Sequence, residues 1–173
     1  RVRREGWLPN LISGDFDGVS PATLRYFGKK GVELLHTPDQ NYTDLEKALA
    51  WCVLRGFASI WIAQGLGTRF DHSFTALSLL RRYHSPEREV LLFGESDRVR
   101  FVRDATLRLK TRAGSRIAVL PFPSCRIRSK GLRYEMAGLR LELGRRESVS
   151  NAALGQEVKL RVSGEALVVE ALR

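Results

Sequence analysis

A change in hydrophobic periodicity near residue 96 restricts the folds that this sequence can form. Before it, short apolar runs alternate with segments whose apolar residues follow a helical period. After it, apolar residues recur at every second position in short runs divided by turn residues. Alternating strands and helices predict a parallel sheet with crossover helices, and a period of two predicts antiparallel strands. The sequence therefore predicts an α/β chain, with a parallel-sheet domain at residues 1–97 and an antiparallel β-sandwich at residues 98–173.

Local signals define the elements of the first half. Ser20 and Pro21 are typical of a helix start, because serine caps helices and proline fits the first helical position. Thr43 and Glu46 form a capping box that begins a second helix, and Asp71 is predicted to cap a third. Four short apolar runs predict strands at residues 10–14, 32–37, 58–64 and 89–94.

The positive charge of the chain is confined to its second half. Before residue 98, 12 Lys and Arg balance 12 Asp and Glu, whereas 17 face 7 after it, so the net charge of +10 arises there. A basic region can bind nucleic acid or polyphosphate, or it can be a solvated surface. Aromatic residues do not alternate with the basic ones, which favours the solvated surface. Nucleic acid is therefore not expected as a partner.

Hydropathy and cysteine content bear on the location of the protein. No apolar run approaches the ~20 residues that a membrane-spanning helix needs, and the first ten residues lack the apolar core of a signal peptide. We therefore expect a cytoplasmic protein with no membrane partner. Cys52 and Cys125 form no CxxC motif, which favours buried, reduced thiols over a disulfide or metal site.

Polar side chains suited to phosphate and metal follow three of the predicted strands. They are Asp15 and Asp17 after the first strand, Asp39 and Asp44 after the second, and Gly65, Gly67, Arg69 and Asp71 after the third. The carboxyl ends of parallel strands share one sheet edge, where open α/β sheets bind ligands. Carboxylates beside an arginine fit Mg²⁺ held between protein and phosphate oxygens. Each residue also has a structural interpretation, since Asp-x-Asp is common in solvated turns and Asp44 can serve as a first-turn acid of its helix.

Four longer motifs resemble those of the thiamine pyrophosphokinase family. They are ISGDFDGVSP, TPDQNYTDLEKAL, GLGTRFDH, and KGLRYEMAGLRLELG followed by SVSN, in the order of the family. The resemblance implies an enzyme that uses Mg²⁺ and ATP to transfer pyrophosphate to the hydroxyl of thiamine, giving thiamine diphosphate and AMP. It also implies an α/β nucleotide-binding domain, a thiamine-binding β-sandwich, and a homodimer with thiamine between the subunits.

The resemblance assigns roles to residues of the first half. Asp15, Asp17 and Asp44 match the catalytic carboxylates that handle the metal and the phosphates. Gln40 and Thr43 lie in the same block as Asp44 and are expected to contact the nucleotide or the substrate. Pyrophosphoryl transfer depends mainly on positioning and on charge neutralisation, which these groups can supply.

Further residues are assigned in the same way. Arg69 matches a catalytic arginine that binds phosphate, and a fork of donors suits phosphate oxygens. Asp71 is expected beside the reacting centre and in contact with the substrate, and Asp71 or Asp44 is expected to accept the hydroxyl proton. Ser150 and Asn151 match residues that meet thiamine.

Two departures from the family pattern leave alternatives open. Thr68 stands where the family usually has glycine. Members also usually carry a further βα unit upstream with an Ala-Asp-Gly-Gly segment, so the sequence is expected to be either a fragment or a reduced member. One alternative is a non-catalytic protein of this fold that binds nucleotide or RNA through its basic β half. Another is pyrophosphoryl transfer to a different alcohol.

Overall fold

The computed structural model describes residues 6–172. Residues 1–5, part of the segment inspected for a signal peptide, lie outside this range. The helices are α1 (Pro21–Lys29), α2 (Asp44–Leu54) and α3 (Phe70–Arg82). The strands are β1 (Leu11–Gly14), β2 (Glu33–His36), β3 (Ser59–Ala63), β4 (Glu89–Phe93), β5 (Asp97–Arg103), β6 (Thr106–Lys110), β7 (Arg116–Lys130), β8 (Ala137–Glu142), β9 (Ser148–Ala152) and β10 (Glu157–Ala171). The chain divides into two compact units, Arg1–Phe57 and Ala58–Arg173.

The first unit contains β1 and β2, which pair in parallel, together with α1 and α2. Both predicted helix starts are confirmed. The Ser20 hydroxyl accepts the Thr23 amide at 3.3 Å, with Pro21 at the beginning of the helix. The Thr43 hydroxyl accepts the Glu46 amide at 3.2 Å. These caps satisfy amides that have no partner inside the helix.

The second unit begins with β3 and β4, which pair in parallel and are connected along the chain by α3. β4 also pairs antiparallel with β5, so the parallel pair is continuous with an eight-stranded mixed sheet. The four strands predicted for one parallel sheet thus form two parallel pairs, β1 with β2 and β3 with β4. The predicted cap of α3 is wrong: the helix begins after Arg69, and the Asp71 carboxylate binds the Arg69 side chain instead. The boundary between residues 97 and 98 stays a prediction.

Two long strands, β7 and β10, organise the rest of this unit. β10 pairs with β7 along one edge, and with β6 and then β5 along the other. The register shifts at Gly164, whose φ is +95°. A Cβ at Gly164 would lie 2.7 Å from the Ser124 carbonyl oxygen, so this bulge requires glycine. The strands enclose one apolar core, whose fully buried members include Ile127, Leu141, Val158, Leu160 and Val168.

Both cysteines are free thiols, as predicted, and burial raises the pKa of each. Cys125 is buried in the core of the second unit, whereas Cys52 is half-buried on α2. Within residues 6–172, no helix combines the length and the apolar character that crossing a membrane requires.

Candidate functional site

The loop after β1 holds Asp15 in a defined orientation. One carboxylate oxygen of Asp15 accepts the Asp17 amide at 3.1 Å, and the other accepts the side-chain amide of Gln40 at 3.3 Å. Both hydrogen bonds favour the charged form, and they lower the pKa of Asp15, the Asp17 amide being the larger cause. The structure therefore brings Asp15, Asp17 and Gln40 together and keeps Asp15 ionised.

The backbone of the same loop is strained at Phe16. Its φ of +66° lies in the left-handed region, which residues other than glycine seldom adopt. The Phe16 ring stacks on the His36 imidazole with centroids 5.6 Å apart, and its carbonyl accepts the Val19 amide at 3.0 Å. Strain that neighbouring contacts maintain is common at functional sites. The pattern analysis missed both Phe16 and His36, since neither belongs to a polar motif.

Asp44 lies against the end of β1. Its carboxylate oxygen is 3.4 Å from the position that a Cβ on Gly14 would occupy, and Gly14 has a φ of +150°. The Lys47 ammonium lies 3.0 Å from the Asp44 carboxylate and donates to the Thr37 carbonyl at 2.7 Å. Lys47 was missed by the sequence analysis, although its position three residues after Asp44 places the two on one helix face. The ion pair with Lys47 therefore holds the Asp44 carboxylate beside Gly14, the residue that precedes Asp15.

The carboxylates near the end of β1 fit a divalent cation whose remaining ligands are phosphate oxygens. Mg²⁺ in nucleotide sites usually takes one or two carboxylates and completes its shell with phosphate and water oxygens. Asp15 and Asp44 supply such carboxylates at the end of one strand. Within residues 6–172, no three His, Cys, Asp or Glu side chains group in a way that would hold a metal ion. The three-carboxylate set that adds Asp17 stays a prediction.

In the second unit, Arg69 and Asp71 form a two-pronged ion pair. The Arg69 Nη2 lies 2.5 Å from one Asp71 oxygen, and its Nε donates to the other at 3.2 Å. These hydrogen bonds lower the pKa of Asp71 and raise the pKa of Arg69. Both side chains are about two-thirds exposed. The pair therefore presents a guanidinium to solvent that is already oriented by a carboxylate.

Ser73 closes the glycine loop in front of α3. Its hydroxyl accepts the Gly67 amide at 3.1 Å and lies 3.1 Å from the Arg69 carbonyl, to which it donates. Thr68 is exposed in this loop. Ser73 was missed because a lone serine in the first turn of a helix carries no specific sequence signal.

The two residues predicted to meet thiamine have different environments. Ser150 is exposed, with a φ of +55°. Asn151 is 4% exposed, and its side chain accepts the Tyr134 amide at 3.1 Å and donates to the Tyr134 carbonyl at 2.8 Å. Tyr134 itself is 66% exposed. Asn151 therefore fixes the backbone of the turn that displays the Tyr134 ring.

We expect Asn151→Ala to lower the free energy of unfolding by about 1–3 kcal/mol, because it removes two hydrogen bonds between a buried side chain and the backbone of Tyr134. Ser150→Ala is the matched control, since its side chain is exposed and its change is expected to stay within about 0.5 kcal/mol. Urea unfolding followed by circular dichroism measures both. Equal stability of the two variants would contradict the structural role of Asn151.

Comparisons with known proteins agree with this combination of motifs and fold. The catalytic domain of thiamin pyrophosphokinase matches residues 1–92, and its vitamin B1 binding domain matches residues 104–167. Thiamin pyrophosphokinase 1 of Caenorhabditis elegans is 31% identical over 167 residues, covering 90% of this chain and 67% of that protein. Thiamine pyrophosphokinase 1 of Oryza sativa subsp. japonica is 25% identical over 182 residues, covering 98% and 69%. The chain thus spans about two thirds of the length of these relatives.

Solved structures share the fold. Thiamine pyrophosphokinase from Bacillus subtilis superposes with a TM-score of 0.88 at 19% identity, covering 98% of this chain and 82% of that one. Thiamin pyrophosphokinase from Candida albicans superposes with a TM-score of 0.84 at 17% identity, covering 98% and 75%. With both domain matches and a relative above 30% identity, the chain belongs to the thiamin pyrophosphokinase family, whose reaction is the ATP-dependent transfer of pyrophosphate to thiamine.

Proposed function

We propose that this member of the family transfers pyrophosphate from ATP to the thiamine hydroxyl with Mg²⁺ as the cation, releasing AMP. The observation that carries the proposal is the Asp15 carboxylate, held in its charged form by the Asp17 amide and by Gln40. An ionised carboxylate of fixed orientation, at the carboxyl end of a parallel strand, is suited to a phosphate-bound cation.

In the first unit, Asp15 and Asp44 would hold Mg²⁺, with Asp17 beside them. When bound, Mg²⁺ would neutralise phosphate charge, as in other phosphoryl transfers. Gln40 orients Asp15 through its hydrogen bond, and Lys47 orients Asp44 through their ion pair. Thr43 caps α2 with its hydroxyl, and this cap supports a positioning role for Thr43 next to the nucleotide.

In the second unit, Arg69 would neutralise charge on the transferred or leaving phosphoryl group. Its pairing with Asp71 supports this role, because an oriented guanidinium loses less freedom when it binds phosphate oxygens. The same pairing lowers the pKa of Asp71 and weakens Asp71 as a proton acceptor.

The thiamine-binding role belongs in this proposal to the second half of the chain, residues 98–173, with nucleotide binding in residues 1–97. Ser150 would contact thiamine directly, and Asn151 would act through the Tyr134 turn that it fixes. The family resemblance supports a homodimer. Light scattering coupled to gel filtration measures the oligomeric state.

The reaction itself is tested by AMP formation from ATP. With Mg²⁺ present, we expect the protein to release AMP only when thiamine is added, and to form thiamine diphosphate in equal amount. Chromatography with mass detection measures both products. AMP release that another alcohol supports and thiamine does not would redirect the proposal to a different acceptor. Absence of AMP with thiamine, from protein with a cooperative thermal transition, would overturn it.

A further inference from the structure

One exposed sheet surface in the second unit carries a cluster of cationic side chains. Along β10, Val158, Leu160 and Val162 point into the core, so Lys159 and Arg161 point to the opposite side. The cross-strand register places cations from β6, β7 and β8 on that same side. We call this surface the basic face, and its eight cationic residues are Arg108, Lys110, Arg126, Arg128, Lys130, Arg140, Lys159 and Arg161.

Several of these cations lie directly opposite one another across the strands. The like-charged pairs are Arg161 with Arg128, Lys159 with Lys130, Lys159 with Arg108, and Arg126 with Arg140. Directly opposite side chains in antiparallel strands have Cβ atoms about 4.5–5.5 Å apart, and like charges there are destabilising. The folded protein therefore accepts a repulsion that a bound anion would remove.

Few carboxylates compensate for this repulsion. Arg108 pairs with Glu157 at 3.3 Å, and Arg140 pairs with Glu142 at 3.4 Å. For the other six cations of the basic face, the part of the chain that the structure describes contains no carboxylate within ion-pair distance. The basic face thus has a surplus of positive charge that is available to a partner.

Two shallow depressions on the basic face combine cations with hydroxyl groups. One, of about 210 Å³, is lined by Arg126 and Arg140 together with Ser124 and Ser163. The other, of about 310 Å³, is lined by Lys159, Arg161, Thr106 and Ser163, and also by Asp104, whose carboxylate accepts the Gly164 amide at 2.7 Å. Lysine, arginine, serine and threonine are the side chains that contact phosphate groups in protein–nucleic acid interfaces. Each depression therefore offers donors that suit a backbone phosphate.

We propose that the basic face binds the phosphate backbone of nucleic acid without reading its sequence. A row of cations on strands about 4.8 Å apart, with alternate residues about 6.7 Å apart, presents charge in two dimensions to a polyanion. Within residues 106–110, 124–130, 137–142 and 157–163, the positions on this side carry no aromatic side chain on which a base could stack and no large apolar side chain that could enter a membrane. A second copy of the same face would oppose cations to cations. Charge complementarity thus favours a polyphosphate chain.

The test measures the affinity of the protein for a fluorescein-labelled 20-base-pair DNA duplex and for a 20-nucleotide RNA by fluorescence anisotropy. The face variant combines Arg128→Gln, Lys159→Gln and Arg161→Gln. The control variant combines Arg25→Gln, Arg112→Gln and Arg146→Gln, which removes the same charge from exposed residues outside the basic face. We expect the face variant to bind at least about tenfold more weakly at low salt and to lose up to about three from the slope of log affinity against log salt. The control variant is expected to retain most of the wild-type affinity at low salt and most of the slope of log affinity against log salt.

The outcomes separate this proposal from its competitors. Equal loss of affinity in the two variants would show a general effect of net charge and would overturn the proposal. The proposal would also be overturned if the wild-type protein bound neither the DNA nor the RNA at low salt. Flotation with vesicles containing phosphatidylserine, positive where both nucleic acids fail, would assign the face to a membrane instead. The melting temperature of the face variant is expected to equal or exceed that of wild type, because the variant relieves repulsion. The pyrophosphokinase assay is independent of all these results.

Discussion

Replacing Asp15 by asparagine is expected to lower kcat at least about 100-fold, the scale seen when one preorganised electrostatic group is removed from an active site. The substitution keeps the size of the side chain and removes the negative charge that the Asp17 amide and Gln40 stabilise. Because Asp15 lies on a loop and only partly out of solvent, the melting temperature is expected to change little. Initial rates of AMP formation, measured against Mg²⁺ concentration, should also show that half-maximal activity requires a higher Mg²⁺ concentration than in wild type.

The matched control for Asp15→Asn is Glu33→Gln, which makes the same chemical change at the opposite end of the parallel pair. Glu33 is exposed at the first position of β2, far along the strand from the carboxyl end that carries the site. Its kcat is expected to stay within about twofold of wild type. If Asp15→Asn retained full activity with an unchanged response to Mg²⁺, the carboxylate would have no part in metal or phosphate handling.

Local signals predicted the first unit well because its elements are determined by neighbouring residues. A serine or threonine before a helix satisfies amides within the next turn, so Ser20 and Thr43 could be recognised from sequence alone. The short strands β1 and β2 follow directly from apolar runs. The hydrogen bond from Gln40 to Asp15 was not predicted, because the family motifs indicated only a contact of Gln40 with the nucleotide or the substrate.

Features that depend on distant pairing escaped the sequence analysis. The bond between β4 and β5 joins the parallel pair to the antiparallel sheet, and periodicity does not specify which strand edges meet. Asp71 had the residue type of a helix cap, but the Arg69 guanidinium competes for its carboxylate and forms two hydrogen bonds with it. The buried Asn151 side chain likewise bonds the backbone of Tyr134, 17 residues earlier in the chain, and local sequence signals do not indicate that contact.

The basic half shows most clearly what a charge count leaves out. Four arginines of the second unit form ion pairs with two carboxylates of β10. Glu170 binds Arg98 and Arg100 at 2.7 and 3.1 Å, and Glu165 binds Arg81 and Arg103 at 2.7 Å each. Because these arginines are paired with carboxylates, they are less available to bind an anionic partner. The strand register places eight other cations on the basic face, a distribution that the sequence total of +10 could not reveal.

Replacing Arg69 by alanine is expected to lower kcat about 1,000-fold, comparable to the loss of an arginine that stabilises charge in phosphoryl transfer. The change removes the guanidinium and also leaves Asp71 without its two hydrogen bonds, so the pKa of Asp71 is expected to rise toward its ordinary value. The acid limb of the pH–rate profile should then move to higher pH if the reaction requires ionised Asp71. Stability should change little, because both side chains are largely exposed and screened by solvent.

Arg69→Lys separates charge from geometry, because lysine keeps one positive charge and lacks the planar fork that binds two oxygens at once. We expect Arg69→Lys to recover part of the activity lost in Arg69→Ala, and Arg112→Ala, at an exposed arginine in a turn, to leave kcat unchanged. Full activity in Arg69→Lys would show that a point charge is sufficient. Full activity in Arg69→Ala would remove the phosphate-binding role from Arg69. A loss confined to KM, with kcat unchanged, would mean that Arg69 binds ATP equally in the ground state and the transition state.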